Sequence, residues 1–221
     1  MTRSIFYKEW IKTRLVWALL LAVNLGYAIY AILRLRYVYV HHDPLLIWNS
    51  WIFKGYTFYA YYEKLPLLTG ILLAVAQFLP ELLNRRMRLS LHLPMGEDRV
   101  VAAHLGVGLL LMALLFIPAL LPMYAVAVAY FPPEFIGGML TTSTPWILAG
   151  IAAYMFTAAL LLEGRWFARI VLAIIAAASL RLFFQEILYS AYERILPVLI
   201  AWTALTFLIP LLSSQRFRKG I

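Results

Sequence analysis

Residues 100–131 read VVAAHLGVGLLLMALLFIPALLPMYAVAVAYF, and no Asp, Glu, Lys or Arg interrupts them. A helix lying on a water-soluble protein keeps a polar face, because one side of it meets water. This run is apolar all round. A membrane-spanning helix needs ~20 mostly apolar residues to cross a hydrocarbon core ~30 Å thick. At ~1.5 Å per residue the run is longer than that core. It is expected to tilt, or to kink at Pro118 and Pro122, where the missing N–H breaks the helical ladder.

Outward from this run the pattern repeats. Further apolar stretches lie at 15–33, 65–83, 146–162, 170–184 and 195–212. The first has Asn24 as its one strongly polar member, which is expected to bond between helices. The second carries Gln77, Pro80 and Glu81, the fifth carries Arg181, and the sixth carries Pro197 and Pro210. Across all 221 residues, 64% are hydrophobic and 13% charged. Soluble domains carry about 25% charged residues, so this chain has too few to cover a wet surface. The expectation is a single all-α polytopic membrane domain with six transmembrane helices. A basic segment precedes the first run, but no small-residue cleavage site follows it, so the run reads as a retained helix.

The net charge of +9 sits mainly between the apolar runs. It therefore reads as a topology signal rather than as a nucleic-acid surface. Six spans put both termini on one side. That side collects Arg3, Lys8, Lys12, Arg14, Arg85, Arg86, Arg88, Arg99, Arg165, Arg169, Arg216, Arg218 and Lys219. The other collects Arg34, Arg36, Lys54, Lys64 and Arg194. The richer side is expected to be cytoplasmic. Residues 36–64 and 131–144 are then external. The 36–64 loop is dense in Tyr, Trp and Phe. It reads either as an amphipathic segment on the outer membrane surface or as a wall or gate where a substrate leaves the bilayer.

Two cytoplasmic segments look amphipathic. In residues 81–99, ELLNRRMRLSLHLPMGEDR, Leu83, Met87 and Leu91 recur at helical spacing, with Arg85, Arg88 and His92 on a second face. Pro94 and Gly96 then break the helix, and Asp98 suits the cap of the next. Such a helix either lies on the membrane surface or docks on a partner. In the N-terminal FYKEWIKTR, residues 6–14, Phe6 pairs with Trp10 and Tyr7 with Ile11, while Lys8 and Lys12 share another face. This reads as an interfacial helix or a basic anchor entering the first span.

The order of these elements resembles the membrane (permease) subunit of a type-2 ABC exporter. The stretch ELLNRRMRLSLHLPMGEDRVVAAHL, residues 81–105, is similar to that family's Leu-rich coupling segment ending in a Leu-Pro turn, and FYKEWIKTR is similar to its entry helix. The resemblance implies a dimer of permeases, identical or homologous, bound to separate cytoplasmic ATP-binding subunits in a prokaryotic inner or plasma membrane. It implies that Leu83, Arg85, Arg86, Met87, Arg88 and Leu91 couple to the ATPase. The family often has a re-entrant hairpin after span five. Here QEILYSAYERILP, residues 185–197, leaves room only for an abbreviated one.

The absences agree with that expectation. The chain has no G-x-x-x-x-G-K-[ST] phosphate loop, so ATP and Mg are expected in the partner and no cofactor in this chain. It has no H-E-x-x-H and no Gly-x-Ser nucleophile motif. It has no cysteine, and neighbouring His41, His42 and Asp43 in a Tyr-rich loop read as solvated rather than as metal ligands. His104 is the one histidine inside a proposed span, which disfavours a haem held by two histidines. Arg181, Gln185 and Glu186 either pair near the interface or line a translocation path. An ion-coupled carrier, a membrane anchor subunit and an intramembrane enzyme are the competing readings.

Overall fold

The computed structural model describes residues 2–41, 43, 47, 49–50, 57–83, 97–185 and 191–219. Among them run α1 (Thr2–His41), a 3-10 turn (Ala60–Tyr62), α2 (Leu65–Leu83), α3 (Glu97–Tyr130), α4 (Pro133–Leu162), α5 (Trp166–Arg181) with a 3-10 extension (Leu182–Phe184), α6 (Leu196–Thr206) and α7 (Leu208–Lys219). Six stretches are long and apolar enough to cross a membrane: Ile5–His41, Ala60–Leu83, Arg99–Tyr130, Phe135–Leu162, Trp166–Phe184 and Leu196–Ser214. The chain is an all-α integral membrane protein.

Helix α4 is the centre of the bundle. It packs on α2, α3, α5, α6 and α7, and its contact with α2 is the most extensive in the molecule. In its apolar window 67% of residues are buried, against 22% in α1 and 17% in α5. Those two helices therefore leave most of their surface uncovered by the rest of the bundle. The α2–α4 crossing is close because glycines face each other there. A Cβ on Gly70 would overlap the Gly150 carbonyl, and one on Gly150 would come within 2.6 Å of the Pro66 carbonyl oxygen. Lipid tails are as apolar as Leu, so tight packing of small residues is a main source of helix association. Buried polar bonds add to it. Asn24 donates to Thr69 Oγ1 at 3.1 Å and accepts from the Tyr62 hydroxyl at 3.0 Å, which ties α1 to α2. This is the interhelical role expected of Asn24. Trp17 Nε1 donates to the Leu111 carbonyl at 3.1 Å, joining α1 to α3.

Three boundaries differ from expectation. Residues 2–41 form one continuous helix, which runs past the expected end of span one at Leu33 to His41. The chain has no proline in this segment, and its N-terminal turns pack against neighbouring helices instead of lying apart. Helix α4 begins at Pro133, thirteen residues before the expected Trp146. The polar run Thr141–Thr144 reads as loop in sequence, but each hydroxyl bonds a carbonyl three or four residues back. Such back-bonding satisfies the hydroxyls within the helix itself, so the polar run can lie in a helix that continues through Pro145. Pro118 and Pro122 likewise lie inside an unbroken α3. The sixth span is divided at Phe207, because Pro210 cannot donate to the Thr206 carbonyl.

A candidate coupling site where the chain leaves α2 and enters α3

The end of the bundle that carries the N-terminus also carries both stems of the 84–96 segment. An ion cluster sits there, assembled from three helices. Glu9 of α1 and Glu81 of α2 are buried, at 0% and 2% exposure. Lys12 Nζ bridges them, 2.7 Å from Glu9 Oε1 and 3.3 Å from Glu81 Oε1. Lys8 Nζ, half exposed, reaches Glu81 Oε1 at 2.9 Å. Two carboxylates withdrawn from water need such compensation, since an unpaired buried charge is destabilising by several kcal/mol, about 3–5. Even so, the Oε2 atoms of Glu9 and Glu81 have no hydrogen-bond partner among the described residues.

His104, in the second turn of α3, closes the cluster. Its Nδ1 lies 2.8 Å from the Val100 carbonyl oxygen. A carbonyl only accepts, so Nδ1 carries a proton. That leaves Nε2 facing Glu9 Oε1 at 3.5 Å. The separation is too long for a good hydrogen bond. A neutral ring offers Glu9 a lone pair, whereas a protonated one offers it an N–H. Behind the histidine the network runs deeper. Gln77 Nε2 donates to the His104 carbonyl at 2.8 Å, and the Tyr154 hydroxyl donates to Gln77 Oε1 at 2.7 Å. Gly108 makes room for this chain, since a Cβ there would overlap the Tyr154 hydroxyl. Helices α2, α3 and α4 are thus joined by one hydrogen-bonded path, which α1 approaches through the 3.5 Å contact of Glu9 with His104.

Chemically, the cluster can hold helices together. Glu9, Lys12 and Glu81 fix the N-terminal turns of α1 to the last turn of α2. His104 adds the first turns of α3. The two ends from which the 84–96 segment hangs are thereby linked to each other and to α1. Among the described residues, no group of three or more His, Cys, Asp or Glu is placed to hold a metal ion.

The residues singled out from sequence fall elsewhere. Leu83 is the last residue of α2 and is 75% exposed. Arg85, Arg86, Met87, Arg88 and Leu91 lie outside the described residues. Arg181 closes α5 with an exposed side chain, and Gln185 one turn on is exposed too. Glu186 lies outside the described residues, as do residues 187–190 of the segment where an abbreviated hairpin was expected. The structure does not bring Arg181 and Gln185 near the ion cluster. Sequence reasoning missed that cluster. Its signal was the i, i+4 pair Gln77 and Glu81 in an otherwise apolar helix, with His104 alone in span three. Compared with known proteins, the chain matches no protein-family model, no curated protein and no solved structure.

Proposed function

We propose that this chain is the permease subunit of an ATP-driven exporter of the type-2 ABC kind. Two such permeases, or one with a homologous partner, form the path, and separate ATP-binding subunits drive it. The chain itself does no covalent chemistry. Both termini and the 84–96 segment face the cytoplasm of a prokaryotic inner or plasma membrane.

The observation that carries this reading is the ion cluster. A coupling element is useful only if its stems are rigidly joined to the helices that must move. Glu81 stands three residues before the 84–96 segment and His104 eight residues after it, and both meet Glu9 or its lysines. A displacement of the segment is therefore delivered to α1, α2 and α3 together. ATP at the partner subunit supplies the differential affinity that any two-state switch requires.

The docking surface is the apolar stripe Leu83, Met87 and Leu91, with Arg85, Arg86 and Arg88 at its rim. Buried apolar anchors carry most of an interface's affinity, while rim charges mainly guide encounter. Met87→Asp or Leu91→Asp buries an unpaired carboxylate and is expected to release the ATPase. Arg88→Ala is expected to act more mildly. The measurement is co-purification of the ATP-binding subunit with each tagged variant, with substrate-stimulated ATP hydrolysis alongside. If both Asp variants keep a full complement of ATPase and normal coupled activity, the coupling assignment is wrong. An ion-coupled carrier is the second reading, favoured by three ionisable side chains buried between spans. It predicts transport by the purified chain with no ATPase present.

A further inference from the structure

On the opposite half of the molecule a groove of about 560 Å³ opens on the lipid-facing side of α1. Its walls are Val23, Gly26, Tyr27 and Tyr30 of α1, and Tyr61 from the 3-10 turn before α2. On a helix these positions and Arg34 form one stripe, at spacings of three and four. The groove thus runs along the membrane normal, from mid-span towards the end of α1. We propose that it holds an acyl chain of an anionic phospholipid, whose phosphate rests on Arg34.

Three observations support this occupant. The first is Gly26. Glycine inside a helix costs about 1 kcal/mol relative to alanine. Packing explains Gly70, Gly108 and Gly150, whereas Gly106 and Gly137 share the open surroundings of Gly26 but do not line the groove. At Gly26 an added Cβ would meet nothing within 4 Å. No contact among the described residues requires this glycine, but its missing side chain keeps the groove floor open. The second is the lining. Tyr30 and Tyr61 meet edge to face, with ring centroids 5.8 Å apart, and present a rigid apolar wall with polar tips. Tyrosines of this kind suit the headgroup boundary.

The third is charge. The Arg34 guanidinium lies over the Tyr61 ring, 4.5 Å from its centroid. It is exposed and makes no ion pair with a described carboxylate. A cation fixed by stacking at the mouth of an apolar groove in a membrane matches one class of ligand, an anionic headgroup continuous with a hydrocarbon tail. Arginine also suits phosphate geometrically, since its fork offers two parallel donors. The proposal does not depend on the exporter reading, because it needs only the six-span fold.

The test uses the full chain in nanodiscs of phosphatidylcholine and phosphatidylglycerol. Each disc contains a trace of one lipid or the other carrying a photoactivatable acyl chain. Labelled peptides are mapped by mass spectrometry. The phosphatidylglycerol probe is expected to label residues 23–30 and Tyr61 about fivefold more than the phosphatidylcholine probe, the ratio a single headgroup cation supplies. Arg34→Gln should bring the two probes level. Gly26→Phe should fill the floor and remove labelling by both. Equal labelling of the unaltered protein by the two probes overturns the proposal, as does full labelling of Gly26→Phe. In the same discs, Gly26→Cys reports a second occupant, because the chain has no other cysteine. High-yield disulfide dimers at that position would show that another copy covers the groove, and would also overturn the lipid assignment.

Discussion

At the scale of single residues, Gly108 and Tyr154 decide whether the polar path can form. Tyr154 is fully buried, and its hydroxyl has one acceptor, Gln77 Oε1. Gly108→Ala drives a methyl group into that hydroxyl, and overpacking of this kind costs about 1–3 kcal/mol. Tyr154→Phe alone leaves Gln77 Oε1 without its donor, at a similar cost of about 1–3 kcal/mol. The pair should not be additive, because the phenylalanine removes the nearest of the three atoms that the new methyl strikes, while Tyr154 Cζ and, at 2.6 Å, Gln77 Oε1 remain. The double variant is expected to lose less melting temperature in detergent than the two single variants lose in sum. A double variant that loses the full sum would show that the two positions do not touch. This network was not legible in the sequence for a physical reason. Glu9, Glu81 and His104 are separated by tens of residues, and only packing of α1, α2 and α3 brings them together. Each alone reads as an interfacial charge. The i, i+4 pair of Gln77 and Glu81 was visible, but its partners were not.

At the scale of helices, the glycines divide into two kinds, and substitution should sort them. Gly70 and Gly150 hold α2 against α4, where added side chains meet backbone atoms that cannot move aside. Gly137, on the exposed side of α4, meets nothing. Gly137→Ala is therefore expected to stabilise by up to about 1 kcal/mol through helix propensity. Gly70→Ala and Gly150→Ala should destabilise by about 1–3 kcal/mol as the helices separate. Thermal melts of the three variants in one detergent check this; equal shifts in one direction would contradict the close crossing. The helices themselves were largely readable. Span two was expected at 65–83 and α2 occupies those residues, because apolar length is the dominant signal in lipid. The start of α4 was not readable. Four hydroxyl residues before a proline look like a turn, but their back-bonds to Gly138, Met139 and Leu140 satisfy the hydroxyls inside a continuous helix.

At the scale of the whole molecule, the orientation in the membrane follows from charge placed on the fold. Six crossings put the N-terminus, the 84–96 segment, the 163–165 turn and the C-terminus at one end, and Lys64 and the 191–195 turn at the other. The first end holds 13 of the 19 Lys and Arg residues and the second holds five. Moving an Arg or Lys across the bilayer is costly, so the richer end is expected to stay in the cytoplasm. The absence of cysteine makes the expectation easy to test, since each introduced thiol is the sole one. The choice of position matters. Thr142 falls in the 131–144 segment expected to be external, but at 1% exposure it would escape a reagent from either side. Lys64 is exposed at the end of the 3-10 turn, and Gly164 is exposed with no atom near its missing Cβ. In intact cells a membrane-impermeant maleimide should label Lys64→Cys and leave Gly164→Cys unlabelled. Permeabilised cells should label both. Labelling of Gly164→Cys in intact cells would invert the topology. The 84–96 segment would then be out of reach of any cytoplasmic ATPase, and the exporter reading would fall with it.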